Sequence, residues 1–232
     1  MQDRHALAEQ VCNANLELVR RGLVTYTWGN VSGIDRGENA VVIKPSGVSY
    51  DDLTPASMVW VSLDGDVIGG DLRPSSDTPT HLALYRAFPR IGGVAHTHSP
   101  AATAFAQAEC GIPCLGTTHA DHFFGTVPVT RRLRRHEVEG PYEANTGVLI
   151  AETFAERNPA DIPAVLVAGH GPFTWGADPD DAVRNSVVLE CVADMARKTL
   201  ALAGTQTGID TFLLERHFRR KHGANAYYGQ KR

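Results

Sequence analysis

The chain has 232 residues, of which 43% are hydrophobic and 21% charged, with a formal net charge of -4. That length and balance fit one large or two small globular domains and argue against a disordered or membrane-buried chain. The mild acidity gives no reason to expect nucleic acid or an anionic membrane as partner. Met1 is followed by Gln, Asp, Arg and His, unlike a secretory signal, and no apolar run reaches membrane-spanning length. Cys12, Cys110, Cys114 and Cys191 lack the spacing of a disulfide framework, so they read as thiols in a reducing cytoplasm. With no repeat and no Gly/Ser/Pro linker, the expectation is a single domain.

In chain order, residues 3–21 carry Leu7, Val11, Leu18 and Val19 among polar positions and stop at Gly22, which predicts an amphipathic helix. Residues 24–34 and 40–48 are β-branched and Gly-punctuated, and predict adjacent antiparallel strands joined by a turn at Asp35–Asn39. Met58–Ser62 and Val67-Ile68 flank Asp64-Gly65, a hairpin turn signal. Residues 78–88, with Pro79 near the start, predict a short helix. A Gly-loosened strand follows through Ile91–His98, and Ser99-Pro100 opens an alanine-rich helix to about Glu109. A further strand-like segment ends in Thr117–Gly125, residues 147–157 predict a helix, and Ala164–Gly171 a buried strand meeting a loop. The last long helix starts at Asp178-Pro179 and ends with Arg197-Lys198 before Gly204, each end complementing the helix dipole. Interleaved helices and hairpins predict a layered α/β sandwich whose sheet is at least partly antiparallel, and no G-x-G-x-x-G loop supports a dinucleotide fold.

His96-Thr97-His98 is the chemical centre of this pattern. Residues two apart on a strand share a face, so the two imidazoles project together where strand gives way to helix. Alone the pair reads as surface histidines as readily as half of a metal site. His170, between Gly169 and Gly171 at the mouth of a buried strand, is a candidate third ligand or a satisfied loop histidine. Asp77 at a helix entrance is a candidate fourth ligand, a base, or a plain N-cap. Gly29-Asn30-Val-Ser32, Lys44-Pro-Ser46-Gly47 and Ser75-Ser76 offer amides, hydroxyls and one ammonium of the kind that bind phosphate. The same residue types also populate ordinary turns. The Arg131–Arg135 run reads as a solvated loop or a second phosphate clamp.

Thr27-Trp-Gly-Asn-Val-Ser-Gly33, Ile43-Lys-Pro-Ser-Gly-Val48, Ser75-Ser-Asp-Thr78 and His96-Thr-His-Ser99 together resemble the class II aldolase/adducin family, in order and over nearly the full length. Gly116-Thr-Thr-His-Ala-Asp-His-Phe-Phe-Gly125 and Lys221-His-Gly-Ala-Asn-Ala-Tyr-Tyr-Gly-Gln230 resemble its branch that epimerises pentulose 5-phosphates at C4. The resemblance implies an α/β/α sandwich around a mainly antiparallel sheet. It implies a divalent metal, typically Zn2+ with Mn2+ or Co2+ as substitutes, on His96, His98 and His170, with Asp77 at or beside it. It also implies a substrate phosphate surrounded by Asn30, Lys44, Ser46, Gly47, Ser75, Ser76 and, more weakly, Thr27.

The implied reaction interconverts L-ribulose 5-phosphate and D-xylulose 5-phosphate by retro-aldol cleavage of C3–C4 and recondensation, with Asp121 and Tyr228 as acid and base. A tail over about residues 205–232 is implied to complete a neighbour's active site in a C4 homotetramer, with Glu143 and His217 as further intersubunit positions. His122 departs from the family pattern, where an aromatic is usual. Asp121 between His119 and His122 could equally be ion-paired and structural. The alternatives are a fuculose- or rhamnulose-phosphate type aldolase, in which Glu usually replaces Asp77, and a non-catalytic adducin-like interaction module.

Overall fold

The computed structural model describes residues 4–223 and 226–228. The helix α1 (Arg4–Arg20) leads into strands β1 (Gly29–Asp35) and β2 (Ala40–Ile43), two 3-10 turns, and the hairpin β3 (Val59–Ser62) and β4 (Val67–Gly69). Then follow α2 (Thr78–Ala87), β5 (Gly93–Thr97), α3 (Pro100–Gln107), and the short α4 (Thr117–Ala120) and α5 (Arg135–Glu139). The remainder is α6 (Tyr142–Thr153), β6 (Ala164–Leu166), β7 (Pro172–Gly176), α7 (Pro179–Ala203) and α8 (Thr211–Lys221).

The seven strands form one sheet in the order β4-β3-β2-β1-β5-β7-β6, and every neighbouring pair is antiparallel. Alternation along the strands divides the core. Val41 and Ile43 join Leu82, Leu84 and Ile150 under α2 and α6, whereas Ala40 and Val42 join Leu7 and Val11 under α1. Helices on both faces of an antiparallel sheet make the expected α/β/α sandwich. Gly147 lets α6 cross α2 closely, because a Cβ there would stand 2.5 Å from the Ala83 Cβ.

Three expectations are corrected. Thr117–Gly125 is not a strand: it turns through α4, and its flanks contribute only isolated bridges, Ile112 with Val127 and Val129 with Leu166. The His119 ring closes that loop by bonding the Gly125 carbonyl at 2.8 Å. The helix expected at 147–157 runs instead from Tyr142 to Thr153, starting directly after Pro141, which takes the N-cap position. The first strand begins at Gly29 rather than 24, because Tyr26 has φ of 51° and the Trp28 N–H folds back to the Thr25 carbonyl at 3.0 Å.

Candidate active site

His96 lies on β5, and His98 one residue past its end, before α3. Ser99 holds the N-cap position of α3 without making a side-chain cap. The cap comes from Glu190 of α7, whose two carboxylate oxygens accept the Ala101 and Ala102 N–H groups at 2.8 and 2.9 Å. His170 sits in the turn between β6 and β7. Gly171 beside it is required, since a Cβ there would meet the Thr97 carbonyl at 2.9 Å. That close approach swings the His170 ring to 4.8 Å from His96 and 5.1 Å from His98, between centroids.

The ligand atoms of His96, His98 and His170 all lie within 4.8 Å of one another. His96 Nδ1 donates to the Pro172 carbonyl at 2.9 Å, and since a carbonyl only accepts, Nε2 of His96 presents a lone pair. The His96 and His98 Nε2 atoms are 3.1 Å apart. Two imidazole nitrogens on one tetrahedral Zn2+ stand about 3.3 Å apart, from bond lengths of about 2.0–2.1 Å. The His170 Nδ1 is 3.3 Å from the Tyr142 hydroxyl, which leaves its Nε2 for a ligand. Burial, and then the neighbouring His96 and His98, push the pKa of His170 down to about 4, and burial likewise lowers that of His98. Convergent imidazoles, with the outward nitrogens of His96 and His170 held by the Pro172 carbonyl and the Tyr142 hydroxyl, fit a divalent cation.

Asp77 lies beside this cluster and outside it: its Oδ2 accepts from Asn30 Nδ2 at 2.7 Å. Burial opposes ionisation of Asp77, but His96, His81 and the Asn30 bond outweigh it and hold the carboxyl below its usual range. The histidines and Asp77 line a cleft of about 570 Å³ shared with Thr27, Asn30, Lys44, Ser46, Gly47, Ser75, Ser76 and Glu143. Every expected phosphate position is therefore on its wall. Lys44 is buried, with Nζ donating to the Val48 and Pro45 carbonyls at 2.7 and 3.3 Å and lying 4.9 Å from the Tyr50 ring centre. Burial pulls its pKa down to about 8, so it stays mainly charged among neutral groups, a setting that an anion completes. The loops carrying Lys44 and Ser75 are tied together by the Ser75 N–H to Lys44 carbonyl bond at 3.0 Å.

Asp121, His217 and Tyr228 do not line that cleft. They gather instead where α4 meets α8. Asp121 accepts from Arg220 Nε at 2.9 Å and His217 Nδ1 at 3.0 Å, with Lys221 Nζ at 3.5 Å. Burial alone would raise the Asp121 pKa, but the Arg220 and His217 bonds bring it down to about 2. The exposed Tyr228 ring stacks against Lys221 and Arg220, 4.5 and 5.0 Å from its centre. His122 is 3.5 Å from Lys221 Nζ, so it joins the basic side of this cluster. Ala224, Asn225, Gly229 and Gln230 of the expected tail motif lie outside the described residues. Three of the four arginines in the run make surface ion pairs, Arg131 with Glu137 and Glu152, Arg132 with Glu109 and Arg135 with Glu139, as the solvated-loop reading expects.

Residues 9–197 match the family model for the class II aldolase and adducin N-terminal domain. The chain belongs to the class II aldolase/adducin family. It is 56% identical over 225 residues to the L-ribulose-5-phosphate 4-epimerase UlaF of Salmonella paratyphi C (strain RKS4594), covering 97% of this chain and 99% of that protein. Among solved structures, an L-fuculose 1-phosphate aldolase superposes with TM-score 0.77 at 22% identity, over 91% of this chain and 94% of its own. The L-fuculose 1-phosphate aldolase of Glaciozyma antarctica PI12 gives 0.78 at 20% identity, over 96% and 84%. The family match includes all the cleft residues and ends before α8.

Tyr142, Glu190 and His81 were not expected at the site. Tyr142 was hidden by the late helix boundary, and Glu190 reaches α3 from 89 residues away in sequence. His81, one helical turn beyond Asp77, carried a readable spacing signal.

Proposed function

We propose that the chain is an L-ribulose-5-phosphate 4-epimerase, interconverting L-ribulose 5-phosphate and D-xylulose 5-phosphate. One observation carries this reading: three convergent imidazoles share a cleft with a buried lysine and its Ser/Asn surround. His96, His98 and His170 would hold a divalent cation, most simply Zn2+, with Mn2+ or Co2+ able to replace it. Such a cation supplies Lewis acidity, stabilising negative charge that develops on the ketose oxygens as C3–C4 breaks.

The chain's own residues do the rest. Lys44, Asn30, Ser75 and Ser76, with the Ser46-Gly47 backbone and Thr27 at the edge, hold the phosphate, so the glycolaldehyde phosphate fragment stays tethered while it presents its other face. Asp121 and Tyr228 exchange the proton of the C4 hydroxyl, one for each face. Because both lie off the cleft of their own chain, the reading places the Asp121–α8 cluster at a neighbour's cleft, in a C4 homotetramer of single-domain subunits, with His217 positioning Asp121 and Glu143 facing the incoming tail. The four cysteines are free, which suits a reducing cytoplasm. Within the described residues no helix is long and apolar enough to cross a membrane.

The solved aldolases of this fold favour a second reading, release of both fragments, and the shorter Asp77 weighs against it. Retention of the three histidines weighs against a non-catalytic module. Chelation should abolish turnover of L-ribulose 5-phosphate, and Zn2+, Mn2+ or Co2+ should restore it. Full activity in metal-free protein would sink the reading.

A further inference from the structure

Lys44 is a buried cation without a carboxylate to match it. Its ammonium has three protons to donate. The Val48 carbonyl takes one at 2.7 Å and the Pro45 carbonyl another at 3.3 Å, and no acidic side chain pairs with it among the described residues. The ammonium lies instead over the Tyr50 ring, whose centre is 4.9 Å from Nζ. The face of an aromatic ring is electron-rich and attracts an ammonium within about 6 Å of its centre.

Tyr50 is itself held from two sides. It opens the 3-10 turn Tyr50–Asp52, where the Ser49 hydroxyl accepts the Asp51 N–H at 3.4 Å. Its side chain is buried, and its hydroxyl donates to the Gly29 carbonyl at 2.8 Å. Burial pushes the Tyr50 pKa up, so the hydroxyl keeps the proton that this bond needs. Gly29 precedes Asn30 at the start of β1, and Asn30 Nδ2 donates to Ser75 Oγ at 3.1 Å. The Ser75 N–H bonds the Lys44 carbonyl in turn. Tyr50 therefore closes a circuit of contacts that runs through Asn30, Ser75 and Lys44 on the cleft wall.

The chemical nature of the partner matters. A carboxylate in place of the ring would neutralise the ammonium and repel a phosphate. Carbonyls alone would leave more of its desolvation uncompensated. A ring face offsets part of that cost and adds no net negative charge, so the cation stays open to an anion.

We propose that Tyr50 is a positioning residue for the phosphate site, its ring face holding the Lys44 ammonium charged and in place without acting as a counterion. This rests on reading the cleft as a sugar-phosphate site, and the test separates the two. Inorganic phosphate is the probe, its affinity for the purified, metal-loaded protein read by 31P NMR titration. Tyr50→Leu should weaken phosphate binding about tenfold and raise KM for the sugar phosphate in parallel, with kcat close to wild type. Tyr50→Phe, which keeps the ring and loses its tie to Gly29, should stay within about fivefold of wild type. A trifluorinated phenylalanine in place of Tyr50 has nearly the same shape and a less negative face, so it should bind phosphate about fivefold more weakly than Tyr50→Phe. In a Lys44→Met background Tyr50→Leu should have little further effect on phosphate affinity.

A Tyr50→Leu protein with wild-type phosphate affinity, a trifluorinated protein equal to Tyr50→Phe, or an undiminished effect in the Lys44→Met background overturns the proposal. If Tyr50→Leu does not fold, the comparison of Tyr50→Phe with its trifluorinated counterpart decides, since the two differ in ring charge and hardly in shape. A wild-type protein that binds phosphate with the expected dependence on residue 50 but epimerises nothing would remove the proposed activity and leave the positioning role standing.

Discussion

Asp121→Asn tests how the C-terminal helix is held. Phe218 is the one buried residue of α8, packed between Phe124 and His222, so the helix has little apolar anchorage. The Asp121 carboxylate adds ion pairs with Arg220, His217 and Lys221, and the His222 ring bonds the Asp121 carbonyl at 3.0 Å. The fall of its pKa from 3.8 to about 2 corresponds to about 2 kcal/mol in favour of the ionised form. The amide variant keeps the size and one acceptor oxygen but loses the charge. Opening of α8 should then become about thirtyfold more frequent, from about 1.4 kcal/mol per factor of ten. Amide hydrogen exchange at neutral pH reads this directly: α8 amides should exchange about thirtyfold faster on that scale, while α7 and the bound-metal content stay as in wild type. The sign with pH follows, because a depressed carboxyl pKa stabilises above its unfolded value and loses that contribution as pH falls. Wild-type α8 should keep its protection from pH 7 to 5 and lose it between about pH 4 and 2. Unchanged exchange in Asp121→Asn would show that the carboxylate does not hold α8.

The site supports further tests. His96→Asn or His98→Asn should weaken metal binding and cut turnover at least about a hundredfold, checked by metal analysis and steady-state rates. Lys44→Met should raise KM for the sugar phosphate about ten- to a hundredfold, the scale of one charged hydrogen bond, and weaken inhibition by inorganic phosphate in parallel; an unaltered KM removes Lys44 from the phosphate site. Tyr228→Phe should lower turnover at constant metal content. Mixed tetramers of Tyr228→Phe and His96→Asn chains should regain activity, and verified mixed tetramers without recovery would show that each site is built from one chain.

Much of the fold was legible because it rests on local pattern. The alternation at Ala40–Ile43 divides the two cores, and Asp64-Gly65 turns the β3–β4 hairpin as its residues require. Where local pattern is ambiguous, long-range contacts decided. Strand β7 is buried along its whole length and starts at proline, so it shows no alternation, and α8 is an amphipathic helix with a single buried residue. The three histidines were legible through their glycine and strand contexts. The partners of Asp121 were not, since His217 and Arg220 lie 96 and 99 residues away and no spacing rule connects them. The ion-paired environment of Asp121 left open by the sequence is what the structure shows, and a proton-transfer role for it now depends on a neighbouring subunit.

A cleft that breaks and remakes C3–C4 of a tethered ketopentose phosphate must show it in its products. Purified, metal-loaded protein given L-ribulose 5-phosphate, with D-xylulose 5-phosphate and glycolaldehyde phosphate followed together, tests it most directly. D-xylulose 5-phosphate should accumulate to equilibrium while free glycolaldehyde phosphate stays at trace level. Stoichiometric release of glycolaldehyde phosphate, or no conversion at all, would contradict it.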